Sequence, residues 1–186
     1  MKNSEEKHII FVCTGNTCRS PMAEAIFRYE SKRRGLTVTV SSAGTAASGN
    51  TSMHLYSLRT LLNHGLSIDN FVPTQLTDER IQTAFAVVCM TEQQKTSILD
   101  YCQRTLLPTD KKVYAFSDFC GVSIPDPYGL GQDAYEATYL ALEGGMSALI
   151  ETLFPVTVPK KKTKTVSKKK STGTKKPAPK KEKEEL

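Results

Sequence analysis

Four short β-rich runs punctuate the first two-thirds of the chain: "HIIFVC" (8–13), "VTVSSAG" (38–44), "AFAVVCM" (84–90) and "KVYAF" (112–116). The first and third are almost continuously apolar, as strands covered on both faces of a parallel sheet should be. Between them the apolar period lengthens to that of a helix. Pro21 to Arg34 fits a helix with proline in its first turn and Gly35 just past its end. Met53 to His64 carries Leu55, Leu58, Leu61 and Leu62 at helical spacing, and Gly65 stops it. Thr91-Glu-Gln-Gln94 has the form of a capping box and opens a helix to about Tyr101. A last helix starts at Asp133, buries a stripe of Tyr135, Tyr139, Leu142, Met146, Leu149 and Leu153, and ends at Pro155. Strand-helix alternation of this kind predicts a small doubly wound α/β sheet, with ligands bound beyond the carboxyl ends of the strands.

Charge divides the chain in two. The segment from Lys160 to Leu186 holds 12 Lys, 3 Glu and no Arg, a charge of +9 against +6 for the whole, so residues 1–159 carry −3. The basic balance therefore belongs to the end of the chain. With one Val and a terminal Leu as its sizeable apolar residues, this tail cannot offset chain entropy by burial, and disorder is the expected state. The expected division is one globular domain over residues 1–158 and a Lys-rich tail over 159–186. The tail's functional reading is non-specific attraction to nucleic acid or other polyanions. No apolar stretch approaches the ~18 residues of a membrane span, and no signal peptide is visible. Five cysteines, an odd number, point to free thiols in a reducing cytoplasm.

The chemistry lies in "CTGNTCRSP", between the first strand and the first helix. A loop from Thr14 to Arg19 leading into a helix N-terminus can gather successive backbone N–H groups into one concavity for an anion. Gly15 allows a positive φ or close backbone approach, and Asn16 tolerates a left-handed conformation. Arg19 can return its guanidinium to bind two oxygens of a phosphate. Cys13 lies at the bottom, where the same field favours an anionic sulfur. The assembly is a nucleophile facing a tetrahedral dianion.

Such a nucleophile needs a proton donor for the leaving group, and "IPDPYG" (124–129) supplies one. Asp126, held between two prolines on a stiff loop, can protonate the leaving group and then activate the water that cleaves phosphocysteine. A nucleotide-binding loop is excluded, because it needs Gly-Lys-Ser/Thr and no lysine occurs here. A metal site is not expected: Cys89, Cys102 and Cys120 lie far apart, and the three histidines lack ligand spacing. No cofactor is implied.

These motifs, with "SSAGT" after the second strand, resemble the low-molecular-weight protein-tyrosine phosphatase family over about residues 8–154. The resemblance implies a four-stranded parallel sheet with helices on both faces and a metal-free, two-step reaction. It assigns Cys13 as nucleophile, Arg19 as transition-state clamp and Asp126 as acid and base. Thr14, Gly15, Asn16, Thr17, Cys18 and Ser20 then form the phosphate cradle, with Tyr128 beside it. Ser20 would donate to the Cys13 thiolate, and Asn16 would hold the loop in shape. Cys18 would either trap oxidised Cys13 as a disulfide or be a small buried thiol.

The loop is also similar to that of the bacterial protein-arginine phosphatases. Thr17 stands where tyrosine-directed members usually carry Ile or Leu, Gly129 follows Tyr128, and "TAASGNTSMH" lacks an aromatic wall. A threonine hydroxyl can pair with a guanidinium that an aliphatic chain would leave unsatisfied, so phosphoarginine in proteins is the favoured substrate and phosphotyrosine the alternative. Arsenate reduction would need further redox cysteines at short spacing. A non-catalytic phosphate- or nucleic-acid-binding module would need neither nucleophile nor acid.

Overall fold

The structure, a computed structural model, describes residues 7–109 and 112–155. The expected tail, the boundary at 158/159 and the tail's polyanion binding all lie outside the described residues.

Strands β1 (Lys7–Cys13), β2 (Val38–Gly44), β3 (Ala86–Cys89) and β4 (Val113–Ala115) form one four-stranded sheet in the order β2-β1-β3-β4. All three pairings are parallel. The doubly wound architecture expected from the alternating pattern is therefore present, with its reversal of strand order at β1.

The continuous apolar runs are explained by two cores, one per sheet face. Alternate residues of β1 and β3 divide between them, since successive side chains point to opposite faces. Ile9, Phe11, Cys13, Ala86, Val88 and Met90 join α1 (Arg19–Arg33) and the long α6 (Gln132–Leu153). Ile10, Val12, Val87 and Cys89 join α3 (Asp78–Thr83) and α4 (Glu92–Arg104) on the other face. The expected stripe of α6, from Tyr135 to Leu153, is buried throughout.

Helix ends follow their local chemistry. The chain leaves α1 through Gly35 at φ +65°, and leaves α2 (Leu55–Asn63) through Gly65 at φ +69°, both in the left-handed region. At α4 both halves of the Thr91–Gln94 capping box are formed.

Two features depart from the sequence reading, and a third decides between two positions it offered for a positive φ. Of the leucines of α2 only Leu61 is buried, whereas Leu55, Leu58 and Leu62 face solvent. The inward face of this helix is Ser57, Thr60 and Leu61, and Thr60 Oγ1 accepts a 2.6 Å bond from Gln132 of α6. Two short helices, α3 and the four-residue α5 (Ser117–Cys120), were not expected. Gly15 does not carry the loop's positive φ; Asn16 does, at φ +55°.

Candidate active site

Strand β1 ends at Cys13 and α1 begins at Arg19, so residues 14–18 form the whole connection. Its carbonyls are bonded to neighbouring segments: Cys13 O accepts from Thr45 N, Thr14 O from Ala46 N and Thr17 O from His54 N, at 2.9–3.0 Å. None of the N–H groups of residues 14–18 donates to another described residue. The N-cap of α1 is Cys18, whose side chain caps nothing. A row of unspent donors at the positive end of a helix dipole is a site for an oxyanion.

One buried side chain holds the loop in this form. Asn16 is fully enclosed and spends its entire amide. Its Nδ2 donates to Ser20 Oγ and Ser42 Oγ, each at 2.9 Å, and its Oδ1 accepts from Thr74 N at 2.8 Å. Ser42 in turn donates to the buried Glu24 carboxylate at 2.7 Å, which pairs with Arg28 at 2.5 Å. The direction of this chain has a consequence at Cys13. Ser20 Oγ accepts from Asn16 and lies 3.0 Å from the sulfur and 3.4 Å from the Ala43 carbonyl, so an anionic Cys13, which can only accept, has the Ser20 proton within reach. Gly44, at the end of β2, completes the fit. A Cβ there would lie 2.5 Å from Thr14 O and 2.9 Å from Ala47 Cβ, closer than real contacts allow. At Gly15 a Cβ would meet only Thr17 Oγ1, at an ordinary 3.5 Å.

Arg19 is buried and crosses to the segment before α6. Its guanidinium donates to Asp126 at 2.5 Å and to Ile124 O at 3.4 Å, while Nε is buried with no partner among the described residues. Ile124 N is bonded to Met90 O, which ties the Asp126 loop to the end of β3. Asp126 is half-exposed, and its other oxygen accepts from Tyr128 N at 3.2 Å.

A cavity of about 330 Å³ opens above Cys13. Cys13, Thr14, Gly15, Thr17, Cys18 and Arg19 line it from the loop, and Asp126 and Tyr128 from the far side. Ala46, Ser48 and Thr51 complete the wall, so the segment after β2 contributes no aromatic. The exposed Tyr128 ring meets His54 edge-on, and His54 stacks on buried Tyr135 at 4.9 Å. The Tyr135 hydroxyl lies 3.5 Å from Cys18 Sγ, and burial, then Cys18, pushes its pKa up. All five cysteines are unbridged. Thus the structure brings every sequence-selected residue to one cavity except Asn16 and Ser20, which stand behind the loop. Sequence reasoning missed Glu24, Ser42, Gly44, His54 and Thr74. Only the i,i+4 spacing of Glu24 and Arg28 was visible in advance.

A parallel sheet that delivers a cysteine and an arginine to one oxyanion cradle, under a facing aspartate, defines a cysteine-dependent phosphatase. The chain belongs to the low molecular weight phosphotyrosine protein phosphatase family, whose model matches residues 8–168. It is a cysteine-dependent phosphoprotein phosphatase. It is 39% identical to the protein-arginine-phosphatase of Bacillus subtilis over 138 residues, 73% of this chain and 89% of the relative. It is 30% identical to the low molecular weight protein-tyrosine-phosphatase PtpB of Staphylococcus haemolyticus, over 70% of this chain and 88% of the relative. Among solved structures it is similar to a YwlE mutant from Bacillus subtilis, with a TM-score of 0.72 and 37% identity, covering 80% of this chain and 99% of that one. Among the described residues there is no metal-binding cluster and no helix long and apolar enough to cross a membrane.

Proposed function

We propose that the chain hydrolyses phosphoarginine in proteins, with Cys13 as nucleophile, Arg19 as transition-state clamp and Asp126 as acid and base. The phosphoryl oxygens enter the cradle and take Arg19, Nε included, and Asp126 is released toward the leaving group. Cys13 Sγ attacks phosphorus, the P–N bond breaks, and Asp126 gives its proton to the departing guanidine nitrogen. Water then attacks the cysteinyl phosphate, Asp126 takes its proton, the P–S bond breaks and inorganic phosphate leaves. Ser20 steadies the anionic sulfur in both steps. Gly15, Thr14 and Cys18 contribute cradle, and Tyr128 walls the mouth. The five unbridged thiols suit a reducing cytoplasm.

The observation that carries the choice of substrate is the wall at Thr17. Thr17 lines the cavity with Ser48 and Thr51, a polar wall that a guanidinium can pair with, and its hydroxyl lies 3.5 Å from Cys18 Sγ. The relation to the Bacillus subtilis protein-arginine-phosphatase supports the same reading. Phosphotyrosine is the second reading, favoured by the exposed Tyr128 ring at the mouth. Arsenate reduction finds no support: Cys89 lies in the sheet core, where burial pushes its thiol up to about 12.

The test is turnover of matched phosphoarginine and phosphotyrosine peptides by wild-type and Thr17→Ile protein. The substitution removes the hydroxyl and adds apolar bulk, so the ratio should move ~10–100-fold toward phosphotyrosine, the worth of one hydrogen bond to a charged group. A wild-type preference for phosphotyrosine, or an unmoved ratio, overturns the arginine reading. Circular dichroism checks that the cradle survives.

A further inference from the structure

The reaction cavity has a second outlet. Thr14, Arg19 and Asp126, which border the cavity above Cys13, also border a trough of about 480 Å³ that runs toward the first turn of α4. The sides of this trough are hydroxyls and amides: Thr45 facing Gln93, Gln94 and Ser97. The side chains of Thr45 and Gln93 are exposed and spend no hydrogen bond on the described residues. Thr45 and Ser97 then border a third hollow, of about 390 Å³, between α3 and α4. Its lining turns apolar, with Leu76, Ile81 and Ile98, and Arg104 stands at its edge. The Tyr101 ring forms one wall and is held there by a 2.9 Å bond from its hydroxyl to Asp78.

We propose that this path binds the polypeptide on one side of the phosphorylated residue, and that an apolar substrate side chain sits over Leu76, Ile81 and Ile98. The inference rests on the phosphoprotein phosphatase reading of the Cys13 site. A phosphorylated residue anchored at Cys13 carries main chain away in both directions. On the side of α2 the mouth is walled by Tyr128 and the His54 ring behind it. Toward α4 it opens onto the Thr45 hydroxyl and the Gln93 amide, which can pair with peptide N–H and C=O groups. An apolar floor reached only after that polar stretch selects a side chain displaced along the substrate, not the phosphorylated one. Selectivity thus comes from area buried away from the chemistry, which tightens binding of substrate and transition state alike.

Ser97 is the place to test this, since it borders both hollows, is exposed on α4 and spends its hydroxyl on the Gln93 carbonyl of its own helix. Phosphopeptides of one phosphoresidue would carry Leu or Asp at each flanking position in turn. Wild-type protein should prefer Leu at one position on one side by ~10-fold or more in kcat/KM, mostly through KM. Ser97→Trp should erase that preference and leave turnover of p-nitrophenyl phosphate unchanged, and Ser97→Ala should keep both. Binding of the same peptides to Cys13→Ser protein reads the path without turnover, so a wrong reaction assignment is separable from a wrong path. Equal treatment of all flanks by wild type, or a Leu preference that survives Ser97→Trp, overturns the proposal.

Discussion

Strands β1 and β3 lie side by side, run parallel, and each ends in a cysteine followed by a connection and a helix. Only one of the two is built for chemistry. The register pairs Cys89 with Val12, not with Cys13, so the two thiols differ by one position along the pleat. That single step sends Cys13 to the face of α1 and α6, and Cys89 to the face of α3 and α4. The connections differ as well. After β3, Gln94 Oε1 accepts from Met90 N and Thr91 N, and Thr91 Oγ1 accepts from Gln94 N. The helix is capped by its own first turn. After β1 the N-cap is a cysteine, the donors of residues 14–18 are unspent, and a buried asparagine holds the loop open from behind. An anion site therefore comes from withholding a cap, not from the presence of a helix end.

The sharpest way to break this comparison is to treat both sulfurs alike. Cys13→Ser should cost at least ~10⁴-fold in turnover, as loss of a nucleophile does elsewhere, with the fold intact by circular dichroism. Cys89→Ser should leave kcat/KM near wild type but lower stability by ~1–3 kcal/mol, because a hydroxyl is placed in an apolar core. Comparable loss of turnover in both would mean that the two connections are not the distinct sites described.

A smaller effect of the buried Cys89 thiol is read through pH. Burial pushes Cys89 up to about 12 in the folded chain, against ~8.5 for an exposed thiol. A folded value above the unfolded one contributes stability that is fully present below pH ~8.5 and is lost as pH rises toward about 12. By pH 9.5 the loss should be ~1.4 kcal/mol, and urea unfolding of Cys89→Ala should lack this component. A wild-type curve no steeper than that of Cys89→Ala between pH 8 and 10 removes the argument.

The smallest expected change comes from opening the closed connection. Gln94→Ala deletes half of the capping box and also the 3.2 Å bond from Gln94 Nε2 to Thr14 Oγ1 that joins the two connections. It should cost ~0.5–2 kcal/mol, visible as a fall of a few degrees in Tm. Turnover should change modestly, because Thr14 keeps its backbone bond to Ala46. An unchanged Tm would show that the cap carries no stability.

How much of this was legible depended on range. The strands and the long helices were readable because a repeated period writes them into the chain. Helices α3 and α5 were not, since six and four residues are too few to display one. The leucines of α2 misled for a physical reason: helical spacing shows that one face is apolar, not that a neighbour covers it. At the site, Cys13, Arg19 and the loop between them are contiguous, so spacing alone exposed them. Asp126 became legible only beside that loop, because a Pro-Asp-Pro segment alone reads as a turn. Glu24, Ser42, Gly44, Thr74 and Gln94 reach the loop from four other segments, and only sheet topology brings them there. The exchange between Gly15 and Asn16 has the same origin. The left-handed residue had also to bind Ser20, Ser42 and Thr74, which a glycine has no side chain to do.

The bond from Thr74 to Asn16 also carries a consequence for how the protein comes into being. A chain is made from its N-terminus, so Cys13 and its loop emerge first, and Asp126 follows roughly a hundred residues later, about 5–20 s at ~5–20 residues per second. Within that interval Ser42, Gly44 and Thr74 are made first, and the carboxylate that meets Arg19 last. The nascent chain therefore holds a thiol but no catalyst. The cavity above Cys13 is therefore completed only when Asp126, the last of these partners to be made, reaches Arg19.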